Sequence, residues 1–345
     1  MKLVSYNIQY GFGADGRYDL ERIAKVVAGA DVIALQEVER HWRRTGEADQ
    51  PEILGRLLPE HHWVYGPAFD MDASYRDVEG RLVNRRRQFG TMLLSRLPIA
   101  WSRLHLLPMR RMISPLNTQN PALECMIRTP FGPVRFFSLH LAHVGAEERL
   151  EQIDFLLDRH RRVGVVGGLW SGTDDEPHRD WTHGEPEPEA PLAAGMMGDF
   201  NSEPGSAEYR RLTGDQPYHA DARYRDGFVD AAVAAGHRPD ALHTHVRTVG
   251  GRVEKRRLDY CFVGAPIADR VRSFRVDNVA IASDHHPVFV DIDLETPFAR
   301  RWCGGDAFRT ALFNALSMSF PVGEQLFIDS VKKSLAALPP ERRDA

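Results

Sequence analysis

Ser283-Asp284-His285-His286-Pro287 leads directly into the apolar run Val288-Phe289-Val290. It sets an acid and an imidazole where a strand-like segment meets solvent. Asp259, in Leu258-Asp259-Tyr260, lies 26 residues before His285 and opens another apolar run. Gly198-Asp199-Phe200-Asn201 closes a third. Asn7, in Val4-Ser5-Tyr6-Asn7-Ile8, and Glu37, in Ile33-Ala34-Leu35-Gln36-Glu37, repeat the arrangement nearer the N-terminus. Acids, an amide and an imidazole at strand ends are what metal-assisted hydrolysis of a phosphate ester requires. Carboxylates hold a hard cation, and the imidazole handles a proton.

The rest of the chain supplies the frame for these ends. Residues 2–6 alternate as a strand. Leu20, Ile23, Ala24 and Val27 recur at helical spacing behind Asp19, a candidate N-cap, and 31–35 is a second short strand. The segments 89–95, 99–106, 123–128, 134–141, 196–200, 258–263, 270–276 and 288–292 read as further strands, and 147–159 as a helix. Many strands with few helices predict an α/β chain of two packed sheets flanked by helices.

Two segments depart from this pattern. Residues 161–193 hold glycines, acids, prolines, Trp170 and Trp181. The segment is either a loop edging the active site or a tolerated insertion, anchored in both cases by its tryptophans. Beyond Pro297, Phe308, Leu312, Phe313 and Leu316, then Leu326, Phe327, Val331 and Leu335, outline two amphipathic helices. The expected domains are 1–296 and a C-terminal helical tail, 297–345.

Among 345 residues the net charge is −4, which leaves no global footprint for nucleic acid. Charge is uneven, however. Residues 81–111 hold eight arginines and no acid, a candidate local basic face. Cys125, Cys261 and Cys303 lack metal-type spacing, and the first two sit in apolar runs as expected of buried thiols. No charged-then-apolar leader precedes Lys2, and no apolar run nears membrane-spanning length. The expectation is a soluble cytoplasmic protein with no transmembrane segment.

Seven motifs, taken in order, carry a resemblance: Ser5-Tyr6-Asn7-Ile8, Leu35-Gln36-Glu37, Thr91-Met92-Leu93-Leu94-Ser95-Arg96, Ser138-Leu139-His140-Leu141, Gly198-Asp199-Phe200-Asn201, Leu258-Asp259-Tyr260 and Ser283-Asp284-His285. Over about residues 1–293 the chain resembles the endonuclease/exonuclease/phosphatase superfamily. The resemblance implies a four-layer α/β sandwich, two mixed sheets flanked by helices. It also implies a Mg²⁺- or Mn²⁺-dependent phosphoesterase in which Glu37, Asn7 and Asp284 serve the metal. Asp259 would orient His285, which acts as general base or as an imidazolium stabilising the transition state. Asp199 would position the water, Asn201 would donate to a phosphate oxygen, and His140 would add a second imidazole. His143, Arg149 and Gln152 stand near this set without an assigned role, and His286 reads as structural. The substrate stays open between a nuclease acting on DNA and a phosphatase acting on a nucleotide or lipid headgroup. A catalytically inactive binding module is the remaining alternative, against which every expected position is filled. The tail, from Trp302-Cys303-Gly304-Gly305-Asp306, resembles the start of a helical family of predicted metal-dependent hydrolases. It lacks the His and Glu residues of a complete metal site.

Overall fold

The strand-like runs pair into two six-stranded mixed sheets. The computed structural model describes residues 1–214, 222–295 and 330. The chain forms two compact units, Met1–Asp293 and Leu294–Ala345. The sheets belong to the first. The helical pair expected over 297–345 and Cys303 lie outside the described residues.

In chain order the strands are β1 (Lys2–Asn7), β2 (Val32–Arg40), β3 (His62–Asp72), β4 (Tyr75–Arg76), β5 (Leu82–Val83), β6 (Arg86–Ser95), β7 (Ile99–Leu106) and β8 (Pro121–Thr129). They continue with β9 (Gly132–His140), β10 (Ala194–Asp199), β11 (Phe228–Asp230), β12 (His245–Val249), β13 (Arg252–Arg256), β14 (Asp259–Gly264), β15 (Val271–Val276) and β16 (Val288–Ile292). The first sheet runs β15-β16-β1-β2-β6-β3 and the second β11-β14-β10-β9-β8-β7. Helices α1 (Leu20–Val27) and α2 (Gln50–Leu57) cover the first sheet, with Ile23, Val27 and Leu54 packed on Val4, Tyr6 and Leu35. Helix α3 (Ala146–Arg161) lays Ile153, Leu156 and Leu157 against Phe137, Leu139 and Met196 of the second. The four layers expected from the motifs are therefore present.

Asp19 caps α1 as its position predicts, accepting from Arg22 N. Several elements escaped the sequence reading, among them helix α2, strand β3 and the β12–β13 hairpin. Helix α2 is only two turns long, entered through Pro51 behind the cap Asp49. Strand β3 carries Gly66-Pro67 at its middle. It lies at a sheet edge, where a missing N–H is tolerated, and the register shifts between Pro67 and Phe69.

Residues 161–193 do not edge the strand ends that carry the acids. The segment docks at the opposite end of the second sheet. Trp101 Nε1 donates to Glu189 O (2.9 Å), and Arg135 Nε donates to Pro191 O (2.7 Å), at the level where Ala194 pairs with Arg135. Trp181 is exposed and anchors nothing, while Trp170 is partly buried. Nor do the eight arginines form one face. Arg81 pairs with Asp77, Arg85 with Glu47, Arg86 with Asp70, Arg96 with Glu60, and Arg110 with Glu147 and Glu151. Cys125 and Cys261 are buried as expected, and burial pushes both thiols up.

Beneath the docked insertion runs a buried charged chain. His105 Nε2 meets Glu124 Oε2 (2.8 Å), Glu124 Oε1 accepts from Arg135 Nη1 (2.6 Å), and Arg135 Nη2 donates to His160 Nδ1 (2.9 Å). A guanidinium only donates, so His160 must accept at Nδ1 and stay neutral. Burial, and then the Arg135 charge, lower its pKa from 6.5 to about 4. The unfolded chain therefore binds this proton where the native chain does not. His160 contributes stability that is present above pH 6.5 and is lost as pH falls toward about 4. His160→Gln, which keeps an acceptor for Arg135, is expected to flatten this acid-side slope. Urea-unfolding midpoints at neutral and mildly acidic pH measure it, and identical slopes in the two proteins would refute the assignment.

Candidate active site

Each sheet contains one parallel pair, β1 with β2 and β9 with β10. Open α/β sheets bind ligands beyond the carboxyl ends of such strands. Asn7 and Gln36 are partners at one such end, and His140 and Asp199 at the other. Strand β14 runs antiparallel to β10 and sets Asp259 opposite Asp199. Strand β16 pairs Val288 with Ser5, so the preceding turn, with Asp284 and His285, reaches the same end.

Strand alternation decides which side chains face inward. Tyr6 and Leu35, and Leu139 on the second sheet, pack on the helices. Their neighbours Asn7, Gln36, Ser138 and His140 fall on the seam between sheets. There Gln36 Nε2 donates to Ser138 Oγ (3.1 Å), and Ser138 Oγ donates to Leu35 O (3.0 Å). By strict alternation Glu37 would turn back to the helix side. Instead its φ is 57° and the β2–β6 register shifts between Leu35 and Val38, so Glu37 faces the site as well. Gly198 serves packing: a Cβ there would lie 1.9 Å from Leu139 O, so only glycine lets β10 approach β9 beside Asp199.

The ends of the two sheets meet through one amide. Asn7 Nδ2 donates to Glu37 Oε1 (3.0 Å) and to Asp199 Oδ2 (3.0 Å). Its oxygen accepts from Gln9 N (3.0 Å), which fixes the amide orientation. Asp199 Oδ1 accepts from Asn201 N (2.9 Å). Asp199 Oδ2 also lies 3.6 Å from His140 Nε2 and 3.7 Å from His285 Nε2. His285 Nδ1 is held by Asp259 Oδ2 at 2.8 Å. Asp259 itself is fully buried, and its Oδ1 has no hydrogen-bond partner. Asn201 Nδ2 donates to Leu141 O (2.9 Å) and lies 3.1 Å from His140 Nε2. Its amide is thus tied to the backbone after His140 and to the His140 ring.

Burial lowers the proton affinity of His285, but the carboxylates of Asp259 and Asp199 outweigh it and raise the imidazole well above its ordinary value. Burial raises the Asp259 carboxyl against the pull of that imidazole. Among the described residues, no arginine or lysine forms an ion pair with Glu37, Asp199, Asp259 or Asp284; the ion-pair partners of the three aspartates are histidines. Acids gathered with so little cationic compensation are a donor set suited to a hard divalent ion. Donor atoms of Asp199, Asp259 and His285, and of His245, Asp284 and His285, come within 4.8 Å of one another.

Three residues escaped the sequence reading. Gln9 Nε2 donates to Asp284 Oδ2 (2.9 Å). Thr244 Oγ1 accepts from Asp259 N (3.0 Å). The His245 ring centroid lies 4.7 Å from that of His285, with Nε2 3.8 Å from Asp284 Oδ2. Two histidines flanking Thr244 were the signal for the last two; nothing in sequence marked Gln9. Arg149 and Gln152 instead hold the backbone after His140, with Gln152 Oε1 accepting from Ala142 N and Arg149 Nη1 donating to Ala142 O. His143 is exposed. His286 turns away toward His243, 5.9 Å between ring centroids.

Residues 4–285 match the profile of the Endonuclease/Exonuclease/phosphatase family, and residues 287–345 match one described as Predicted metal-dependent hydrolase. The chain belongs to the endonuclease/exonuclease/phosphatase family, hydrolases of phosphate esters. Among solved structures, an endonuclease/exonuclease/phosphatase from Bacteroides vulgatus is 17% identical with a TM-score of 0.57, over 85% of this chain and 98% of that one. The mannosyl-6-phosphatase Bt3783 of Bacteroides thetaiotaomicron VPI-5482 is 17% identical with a TM-score of 0.55, over 85% and 99%. TDP2 of D. rerio, complexed with a single-strand DNA product, is 15% identical with a TM-score of 0.52, over 84% and 97%. These similarities show the fold. No curated protein matches the chain.

The Asp259–His285 geometry gives a direct test. Asp259→Asn removes a carboxylate that raises the imidazole, so His285 in the metal-free protein should titrate at lower pH than in wild type. NMR titration of the ring protons reads the shift. An unchanged titration would remove Asp259 from the electrostatics of the site.

Proposed function

We propose that this protein is a cytoplasmic Mg²⁺- or Mn²⁺-dependent phosphoesterase that hydrolyses a phosphodiester or phosphomonoester by attack of an activated water. One observation carries the reading: His285 is fixed at Nδ1 by Asp259 and presents Nε2 toward Asp199 at 3.7 Å. That pairing of an oriented imidazole with a buried carboxylate matches proton handling at a reacting centre.

Glu37, Asn7 and Asp284 would hold the cation, with Gln9 orienting both Asn7 and Asp284. When bound, the ion supplies Lewis acidity and offsets the negative charge of the phosphate. Asp199, 2% exposed and between two imidazoles, positions the water and accepts its proton. The carboxylates around His285 favour its charged form, so it donates from Nε2 to a phosphate oxygen, where developing charge needs a donor. Asn201 fixes His140 through the contact to Nε2, which leaves the ring proton on Nδ1. An Asn201 donation to phosphate would require its amide to release His140.

The named relatives include a sugar phosphatase and a protein bound to DNA, so a screen of phosphorylated sugars, nucleotides, phosphoinositides and DNA bears on the substrate. Glu37→Gln keeps the shape and removes the charge. Turnover of a chromogenic phosphodiester should fall by orders of magnitude, with partial recovery at high Mn²⁺. His285→Ala should cost roughly 10²–10⁴-fold in rate, the usual worth of a positioned proton-transfer group. Near-normal turnover by either variant, on every substrate that wild type cleaves, would overturn the assignment of its residue.

A further inference from the structure

The end of the molecule that carries the acids is also where several exposed aliphatic side chains collect, and they do so on three projections. The first is the β3–β6 ribbon. Strand β2 passes the level of Asn7 at Gln36 and stays paired with β6 to Arg40, and β6 runs on from Met92 back to Arg86, paired with β3 as far as Asp72. That extension spans roughly 20 Å beyond the site. It ends in the β4–β5 hairpin, where Val78 is wholly exposed and Leu82 largely so. The second is the loop 107–120. It joins β7 to β8 beside the pairing of Ala122 with Leu139, next to His140, and presents Ile113 and Leu116 to solvent. The third is the β12–β13 hairpin. Its base is the bridge between His245 and His285, and Val249 and Val253 stand at its tip around the Gly250-Gly251 turn.

Charge accompanies the apolar tips. Residues 70–88 hold five arginines against four acids, 107–120 two arginines and no acid, and 245–256 three arginines and a lysine against one acid. The three segments together carry a formal +6 in a chain whose net charge is −4, although Glu47, Glu147 and Glu151 from outside them pair with Arg85 and Arg110. Among the described residues Arg111, Arg252 and Lys255 form no ion pair, so their charge is not neutralised internally. Basic residues beside exposed aliphatic tips are the signature of a surface that enters an anionic lipid interface. A nucleic acid would be met by stacking aromatics; the fully or largely exposed tips are aliphatic, and Tyr75 of β4 is half exposed with the Arg85 guanidinium over its ring.

We propose that this mouth docks on an anionic lipid surface, with the three tips entering the interface, and that the phosphate esters the site hydrolyses are lipid headgroups presented there. The docking surface stands on its own observations; the choice of substrate rests on the phosphoesterase reading above.

The test uses the full chain with vesicles of phosphatidylcholine alone or mixed with phosphatidylserine. Two double variants, Val78→Ser with Leu82→Ser and Ile113→Ser with Leu116→Ser, remove exposed apolar tips, none of which is a residue placed in the site. Wild type is expected to co-sediment with the mixed vesicles and not with phosphatidylcholine alone. Each double variant should lose on the order of tenfold or more in partitioning, since each deletes two aliphatic side chains from the interface. Both should keep the wild-type melting temperature and turnover of a soluble chromogenic phosphodiester. Absence of wild-type binding to mixed vesicles overturns the proposal, as does vesicle binding that the double variants retain in full. Tighter binding to single-stranded DNA, insensitive to the same substitutions, overturns it in favour of a nucleic-acid surface. Vesicle binding as expected, with no hydrolysis of any soluble or vesicle-borne phosphate ester, supports the docking surface and overturns the phosphoesterase reading instead.

Discussion

A single side-chain amide joins the two halves of this protein where its acids converge. Asn7 belongs to the first sheet and Asp199 to the second, and the 3.0 Å bond from Asn7 Nδ2 to Asp199 Oδ2 spans the seam. The same nitrogen donates to Glu37. Two carboxylates from different sheets are thereby drawn to one donor, and their separation is set by the geometry of one NH₂ group. Deeper in the seam, Gln36, Ser138 and Thr91 repeat the linkage, with Thr91 Oγ1 donating to Ser138 O (3.2 Å). Buried polar groups satisfied only by partners on the opposite sheet leave little freedom to slide, since any shift orphans several of them at once. The registration of the sheets, and so the shape of the site, follows from these bonds.

Local strain gathers at the same place. Gln9, Tyr10, Glu37 and Asn201 all adopt positive φ, in the left-handed region that non-glycine residues avoid. Each such residue costs about 1–3 kcal/mol. Hydrogen bonds hold three of them: Gln9 through Asn7 and Asp284, Glu37 through Asn7, and Asn201 through Asp199 and Leu141. The consequence for Glu37 is direct. Strand alternation cannot place both Gln36 and Glu37 on one face, and only the turned backbone brings a carboxylate to the mouth while Gln36 ties the sheets below.

What could be read from the sequence divides along physical lines. The strands that carry the motifs were legible because alternation and apolar runs report burial, and burial follows from position in the sheets. Asp259 and His285 were each legible at strand ends, their pairing followed from the family resemblance, and the structure brings them to 2.8 Å. Strand β3 was not, because Gly66-Pro67 reads as a turn unless the strand is known to lie at an edge. The insertion at 161–193 was misplaced because composition says nothing about which end of a sheet a crossover leaves from; β9 and β10 are parallel, so the return to Ala194 must start at the end remote from His140. The arginine run misled for a related reason. Its members alternate between a ribbon, a strand and a loop, and neighbouring acids, distant in sequence, absorb most of their charge.

The site also sets a problem of stability that the rest of the fold must answer. Acids crowded in a half-buried mouth repel one another, and burying Asp259 with an unpartnered oxygen adds a desolvation cost. The molecule places its arginine–carboxylate pairs elsewhere: Arg257 grips Asp230 through both nitrogens at 2.7 and 2.8 Å, and Arg135 grips Glu124 inside the second sheet. Moving an arginine into the mouth would relieve the repulsion, but it would also fill the space and the charge deficit that suit a cation and a phosphate. The electrostatic imbalance is therefore retained where chemistry needs it. A cation that bound only the assembled mouth would add its binding energy to the stability of that arrangement. On this view Asn7 lowers the repulsion between Glu37 and Asp199 by donating to both, and it does so with a neutral amide that adds no cationic charge to the mouth.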